Sequence, residues 1–364
     1  MEFKFHMPTR VYFGRGCIGK NVEELAGLGS KALIVTGGQS AKISGALCDA
    51  CSALERFNVG YTIFDRVENN PSTDTVKIGA GEAKQAGADF IIGIGGGSPL
   101  DAAKAIAVLS ANDMEPEQLF TNSFPNKPLP IIAIPTTAGT GSEVTPYSVL
   151  TRSDLQTKKS FGNKDTFPVI AFLDPHYTQS QPVNVTINTA LDAFSHNMEG
   201  YISTRSTPVS DILAAEGIRL FGCCLDSLKI GVFTLEDREN MLYASLLGGM
   251  VISQTGTNLI HPTAYNYTYF KDIPHGKANG YLMAEFLRFN YEAAKDKVEN
   301  ILKLTGFESI DAFAEAIAYL TGEAPRIDEA EIAQYVAIAM TQRGIHTNIR
   351  PVQSEDLAEF LRKI

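Results

Sequence analysis

Asp89-Phe-Ile-Ile-Gly-Ile94 runs directly into Gly95-Gly96-Gly97-Ser98-Pro99-Leu100-Asp101. The first six residues make an apolar run of strand length, and the rest read as a Gly-rich turn that opens a helix. Ser98 suits the N-cap and Pro99 the first helical position. Asp101 suits the third, where an acid completes a capping box. Free N–H groups at such a helix start bind phosphate or pyrophosphate, and the glycines let backbone approach it closely. A well-capped Gly-rich turn with no ligand is the plain alternative. The motif is neither a full G-x-G-x-x-G nor a Walker loop, because no Gly-Lys-Ser/Thr occurs in it.

The same unit repeats on both sides. Lys31-Ala-Leu-Ile-Val-Thr36 reads as a strand followed by Gly37-Gly38-Gln39-Ser40 and a helix over Ala41–Phe57. Tyr61-Thr-Ile-Phe-Asp65 is a second strand, and Asn70-Pro71-Ser72 starts a helix reaching about Ala86. Leu129-Pro-Ile-Ile-Ala-Ile134 is a fourth strand, followed by Pro135-Thr136-Thr137-Ala138-Gly139-Thr140-Gly141-Ser142-Glu143-Val-Thr145. This alternation predicts a doubly wound parallel sheet with helices on both faces, binding ligands beyond the strands' carboxyl ends. The last loop is rich in hydroxyls, and Thr136, Thr137, Thr140, Ser142 and Thr145 can line a polar ligand. A cluster of Ser/Thr-capped turns is its bland reading.

After Leu173-Asp174-Pro175 the character changes. From Pro182 onward, helical patterns over 210–222, 236–256, 328–344 and 354–364 dominate. The expectation is an α/β domain over residues 1–178 and an all-helical domain over 179–364, matching the prior of about two domains for 364 residues.

With 31 basic and 41 acidic residues the formal net charge is −10, which argues against a nucleic-acid or anionic-membrane partner. The N-terminus lacks a signal-peptide core, and no apolar run is long enough to span a bilayer. The cytoplasm is the expected compartment. Five cysteines, an odd and sparse set, fit a reducing environment. Cys48-Asp-Ala-Cys51 is expected well inside the helix over Ala41–Phe57, away from the helix N-terminus where redox pairs sit, and reads as structural.

The helical half carries the chemistry. Asp192 and His196 stand at i and i+4 in Asn188-Thr-Ala-Leu-Asp192-Ala-Phe-Ser-His196-Asn-Met-Glu199, a helical stretch, so they share one face. His261 precedes Pro262, and His275 precedes Gly276. One carboxylate and three imidazoles form a complete ligand set for Fe²⁺ or Zn²⁺. Each residue alone has a plain reading as a satisfied helical polar group, a loop histidine or a turn.

At the other end of the chemistry, an acid beside an adenosine ribose would accept from its 2′-OH and repel a 2′-phosphate. The stretch Gly37-Gly38-Gln39-Ser40 has none, and it offers Ser40 and Lys42 as donors, which leans to NADP over NAD. Asp65 is the rival ribose acid, or a plain strand-end residue.

Taken together, the Gly95–Asp101 turn, the Pro135–Glu143 loop, Asp192-x-x-x-His196 and the His261…His275 pair, 14 apart, resemble the iron-containing (group III) alcohol dehydrogenase family. The likeness runs from about Pro8 to the C-terminal helix. It implies a dehydroquinate synthase-like fold, an α/β nucleotide domain plus an all-α metal-binding domain, with the site in the cleft between them. It implies metal ligation by Asp192, His196, His261 and His275. Pyrophosphate then binds near Gly95, Gly96, Gly97 and Ser98, and the nicotinamide near Thr136, Thr140 and Thr145. Lys158, 13 residues after Thr145, matches a ribose-contacting lysine. NAD users in the family often carry Asp at the position of Gly37, whereas NADP users often have a Gly-Gly-x-Ser stretch. Homodimers through the N-terminal strand are usual. One departure is Tyr265, where many members have a histidine. A tyrosine, with an ordinary pKa near 10, is a poor base at neutral pH, which leaves it a pocket or proton-relay role. Tyr147 adds a further aromatic residue to the pocket.

The expected activity is metal-dependent hydride transfer between NADP(H), or NAD(H), and a small alcohol or aldehyde, with Fe²⁺ or Zn²⁺. A zinc polyol dehydrogenase of the glycerol type using NAD is the alternative. A lyase resembling 3-dehydroquinate synthase would need a basic cluster at the metal, and only Lys271 and Lys277 lie near the ligands in sequence. A cofactor-binding protein without catalysis is at odds with an intact ligand set.

Overall fold

The computed structural model describes residues 2–152, 154 and 157–364. The chain forms two compact units. One holds residues 7–137 and 141–181, and the other holds 2–6, 138–140 and 182–364.

Among the described residues, the first unit has eight strands: β1 (Arg10–Phe13), β2 (Lys31–Thr36), β3 (Gly60–Phe64), β4 (Phe90–Gly95), β5 (Ile131–Pro135), β6 (Ser148–Arg152), β7 (Thr157–Phe161) and β8 (Ile170–Leu173). Six of them make a parallel sheet in the order β1-β8-β5-β4-β2-β3, and β6 and β7 form a separate antiparallel pair. The sequence pattern locates the four strands β2, β3, β4 and β5, within a residue or two at each end. It passes over β1 and β8, which are only four residues long.

Among the described residues, six α-helices accompany the sheet: α1 (Cys17–Lys20), α2 (Glu23–Ala26), α3 (Ser40–Ile43), α4 (Ala46–Arg56), α5 (Thr73–Ala86) and α6 (Gly97–Ala111). Both faces of the sheet are covered, so its inner strands are apolar on each side. Ala32 and Ile34 of β2 pack with Ala50 and Leu54 of α4 in one core layer. Leu33 and Val35 pack with Val76 of α5 and Ile106 of α6 in the other. The chain passes from β2 outward to β3, then returns to β4 on the opposite side of β2. That reversal is a topological switch point, where open α/β sheets bind ligands. The loops after β2, β4 and β5, three adjacent strands, carry Gly37, Gly95 and Thr136.

Two local expectations are corrected. The helix over Ala41–Phe57 is broken, because Ser44 ends α3 and Gly45 turns the chain at φ 86° before α4 begins. Cys48 therefore lies in the first turn of α4 rather than well inside a helix. Both thiols are free, and burial pushes the Cys51 thiol up, away from a reactive thiolate. The second correction concerns α6. Its N-cap is Gly96, without a side-chain cap bond, so Ser98 and Pro99 lie inside the helix and no Ser98–Asp101 capping box forms.

The second unit is helical: α7 (Val183–Tyr201), α8 (Pro208–Ile230), α9 (Leu235–Thr255), α10 (Ile260–Phe270), α11 (His275–Asn290), α12 (Lys295–Thr305), α13 (Ile310–Thr321), α14 (Glu329–Ala339) and α15 (Ser354–Arg362). Pro208 at N1 and the reciprocal Thr207–Ser210 box start α8, and a Thr234–Asp237 box starts α9. α7 is the axis of this unit. From Ala190 to Tyr201 every residue is buried. Phe194 stacks on Phe221 of α8 at 4.0 Å. Burial of such side chains contributes about 2 kcal/mol each. Among the described residues, no helix is long and apolar enough to cross a membrane.

Candidate metal centre and nucleotide loops

Three helices bring the four expected metal ligands together. Asp192 and His196 lie one turn apart on α7. His261 is the second residue of α10, and His275 is the first of α11. Both histidines therefore start helices, and neither occupies a plain loop or turn. The residue after His275 explains the close approach of α11. A Cβ on Gly276 would lie 1.7 Å from the Asn188 carbonyl oxygen of α7, so only glycine allows this packing.

Asp192 Oδ1 is the focus. His261 Nε2 lies 3.5 Å away, and the Nε2 atoms of His196 and His275 each lie 3.9 Å away. These separations are long for hydrogen bonds. They approach the roughly 3.3–3.6 Å between tetrahedral ligands that each sit about 2.0–2.2 Å from a small divalent ion. Asp192, His261 and His275 offer ligand atoms that all lie within 4.8 Å of one another. His196 stands beside that set, its ring stacked on His261 at 4.6 Å. The donor set fits a divalent transition metal. Three side chains are 3–8% exposed and His275 is 28% exposed, so the centre opens on its His275 side.

The electrostatics agree with a cation at this point. Burial alone would raise the Asp192 pKa, yet His196, His275 and His261 hold it well below the usual carboxylate range. Burial lowers His196 to about 4, so it stays neutral and able to ligate. For His261 burial also opposes charge, but the Glu199 and Asp192 carboxylates prevail and raise it to about 9.

Residues outside the sequence expectation complete the centre. Glu199 Oε2 is hydrogen-bonded to His261 Nδ1, and its Oε1 accepts from the N–H groups of Asn258, Ile260 and His261. Asn279 Nδ2 donates to Asp192 Oδ1 at 2.9 Å and to Ser195 Oγ at 3.1 Å, fixing the carboxylate. Spacing could have found both: Glu199 is seven residues after Asp192, and Asn279 four after His275, each on its ligand's helical face. Tyr265 stacks nearly parallel on His275, with ring centroids 5.0 Å apart. Thr268 Oγ1 lies 3.3 Å from His275 Nδ1.

The loops expected to hold the nucleotide follow β4 and β5. Gly95 closes β4, Gly96 caps α6 and Gly97 begins it. Thr136 N–H donates to the Gly95 carbonyl, and the Thr137 side chain lies beside Gly96. Asp101 faces inward: it accepts from Ser142 Oγ at 2.6 Å and from Val149 N–H at 2.9 Å. Asp101 and Ser142 thus brace the loop against β6. Lys104, wholly buried, donates to Ser142 Oγ and to the Tyr147 carbonyl. Burial lowers its pKa to about 8. The neighbouring buried Glu143 has an Oε1 without a partner, and burial raises it to about 7. Thr145 is buried and ends the short 3-10 turn Ser142–Val144. Thr140 groups with the helical unit. Lys158 on β7 donates to Asn70 Oδ1, and Asn70 N–H donates to Ser98 Oγ. Asn70 thereby connects two expected contacts, a role that its place in Asn70-Pro71-Ser72 gave no hint of.

Around Gly37 there is no room for a side chain, since a Cβ would lie 2.1 Å from the Val67 carbonyl oxygen. Gly38 turns the chain at φ 52°, and Ser40 is the first residue of α3. Lys42 Nζ pairs with Asp65 Oδ2 at 3.1 Å.

Comparisons with known proteins identify the family. Residues 8–175 match the family model described as iron-containing alcohol dehydrogenase, and residues 186–364 match its C-terminal counterpart. The chain is 32% identical to 1,3-propanediol dehydrogenase of Klebsiella pneumoniae, across 99% of this chain and 98% of that one. It is 31% identical to lactaldehyde reductase of Escherichia coli, with 99% of both covered. Its fold superposes on the crystal structure of an iron-containing alcohol dehydrogenase from Thermotoga maritima with a TM-score of 0.92, at 38% identity, covering 100% of this chain and 99% of the other. The chain therefore belongs to the iron-containing alcohol dehydrogenase family, oxidoreductases of alcohols and aldehydes that use a divalent metal and a nicotinamide nucleotide.

Proposed function

We propose that this protein interconverts a small alcohol and its aldehyde with NADP(H), using iron or zinc held by Asp192, His196, His261 and His275. The observation that carries the reading is the convergence of three imidazole nitrogens on Asp192 Oδ1 at 3.5–3.9 Å. A divalent metal bound there supplies Lewis acidity, which eases loss of the alcohol proton and polarises an aldehyde carbonyl. The nicotinamide carries the hydride.

The chain's own residues orient these groups. Gly95, Gly96, Gly97 and Ser98 hold the pyrophosphate at the start of α6. Thr136, Thr137, Thr140 and Thr145 line the nicotinamide side, and Lys158, fixed by Asn70, reaches the ribose. His275 marks the open side through which substrate reaches the metal. Tyr265, stacked on His275, would wall the pocket.

For NADP the supporting observation is Gly37. Its Cα faces the Val67 carbonyl so closely that an acid there would displace backbone. The other candidate acid, Asp65, is already paired with Lys42. A 2′-phosphate would meet Ser40 and Lys42 without a free carboxylate to repel it. We further propose a cytoplasmic homodimer that joins through the N-terminal strand. In support, β1 lies at the sheet edge and, among the described strands, pairs with β8 alone.

The test is NADPH and NADH oxidation with short-chain aldehydes, using protein stripped of metal and reloaded anaerobically with Fe²⁺ or Zn²⁺. Metal-dependent turnover that prefers NADPH supports the reading. Bound metal without turnover on either nucleotide refutes it.

A further inference from the structure

Glu199 is wholly buried on α7, yet nothing in the hydride chemistry calls for a second carboxylate. It stands three residues after His196 and faces the start of α10, which has no side-chain cap of its own at Leu259. One oxygen, Oε1, gathers the N–H groups of Asn258, Ile260 and His261 at 2.8, 2.9 and 3.3 Å. The other, Oε2, meets His261 Nδ1. Thus one side chain holds both the backbone that carries the His261 ring and the ring itself.

We propose that Glu199 is the positioning residue that makes His261 a metal ligand, which rests on the reading of His261 as one. A carboxylate offers no proton, so it accepts only, and Nδ1 must carry the hydrogen. In the neutral ring Nε2 then keeps its lone pair, and it lies 3.5 Å from Asp192 Oδ1. His275 Nδ1 meets the Thr268 hydroxyl, which can donate or accept. His196 Nδ1 closes no hydrogen bond of normal geometry. Outer carboxylates of this kind fix the tautomer and basicity of metal-bound histidines.

Glu199→Gln separates the two duties. The glutamine oxygen can still cap α10, but its amide nitrogen donates where the carboxylate accepted. His261 must then carry its proton on Nε2, pointing at the metal. Metal-free wild-type, Glu199→Gln, His261→Ala and the double variant are titrated with Co²⁺, following its visible absorption, and the thermal midpoint of each metal-free protein is recorded. The proposal expects Glu199→Gln to bind Co²⁺ roughly 10- to 100-fold more weakly, with a metal-free midpoint close to wild-type. It expects the double variant to bind no more weakly than His261→Ala. Wild-type Co²⁺ affinity in Glu199→Gln, alongside weak binding by His261→Ala, overturns the proposal and leaves the ligand reading standing. Wild-type affinity in His261→Ala removes His261 from the site and takes both down. Should Glu199→Gln not fold, the Zn²⁺-loaded wild-type protein with ¹⁵N-labelled histidine decides. A slowly exchanging Nδ1 proton on a metal-bound imidazole supports the proposal, and its absence overturns it.

Discussion

Lys158 Nζ donates to Asn70 Oδ1 at 2.9 Å, across 88 positions of sequence. Asn70 holds a left-handed backbone at φ 58°, which asparagine tolerates, and its N–H donates to Ser98 Oγ in the first turn of α6. A single turn residue thus aligns the proposed ribose lysine with the proposed pyrophosphate loop. Lys158→Ala is expected to raise the KM for NADPH by about three- to tenfold, the range of one ordinary hydrogen bond. Asn70→Gly keeps the left-handed turn and removes the side chain, so it is expected to do the same. Because both changes break one contact, the double variant should cost little more than either single variant. Additive losses in nucleotide KM would show that the two residues act separately.

Nucleotide choice is expected to follow Lys42. Its ion pair with Asp65 is half exposed on both sides, so the pair adds little stability. Lys42→Ala should leave the melting temperature unchanged and lower the NADPH-to-NADH ratio of kcat/KM by about tenfold, the effect of one lost charge-assisted phosphate contact. Asp65→Ala frees the ammonium group and should move the ratio the other way. An unchanged ratio in both variants would place the 2′-phosphate elsewhere.

What the sequence made legible, and what it hid, follows from how local each signal is. β2 and β4 announce themselves because both faces are buried, giving continuous apolar runs. The break between α3 and α4 is marked only by Ser44-Gly45 in an otherwise helical pattern. The sequence signals an α6 cap two residues late, since Ser98 and Asp101 look like capping residues but are engaged by Asn70, Ser142 and Val149 instead. The four proposed metal ligands stand out as residue types at a spacing that the family resemblance matches. Glu199 and Asn279 share the helical spacing of their neighbouring ligands, but their contacts to His261 and Asp192 cross between helices and exist only once the chain has folded.

Glu143 gives the stability of the protein a pH dependence of its own. Burial raises its pKa from 4.5 to about 7. Between those values the native state keeps a proton that the unfolded chain has already lost, so stability falls as pH rises through the window. At about 1.4 kcal/mol per pH unit, the decline is on the order of 3 kcal/mol. Lys104, lowered by burial to about 8, acts in a separate window. Below about 8 its buried charge costs stability, which returns as the pH rises from there. Glu143→Gln keeps the shape and removes the charge. The variant should unfold at higher urea than wild-type at pH 7.5 and match it near pH 5. A constant difference between the two proteins across pH 5–7.5 would show that Glu143 does not titrate in that range.

Tyr265 presents its ring face to His275, with an interplanar angle of 10° and 5.0 Å between centroids. That is the posture of a wall that steadies the most exposed of the proposed ligands. Phenylalanine keeps the face and loses only the hydroxyl. Tyr265→Phe is therefore expected to hold kcat within about threefold of wild-type, less than the roughly 10²-fold or more that loss of a general acid–base group costs. Tyr265→Ala removes the stack and should weaken metal retention, read as faster loss of metal to a chelator. Restoring a titratable ring with Tyr265→His tests the same point from the other side. It should introduce a new rise in the kcat–pH profile near the ordinary histidine range, about 6.5, that wild-type lacks. A large drop in kcat for Tyr265→Phe with metal content unchanged would instead make the hydroxyl part of the proton path.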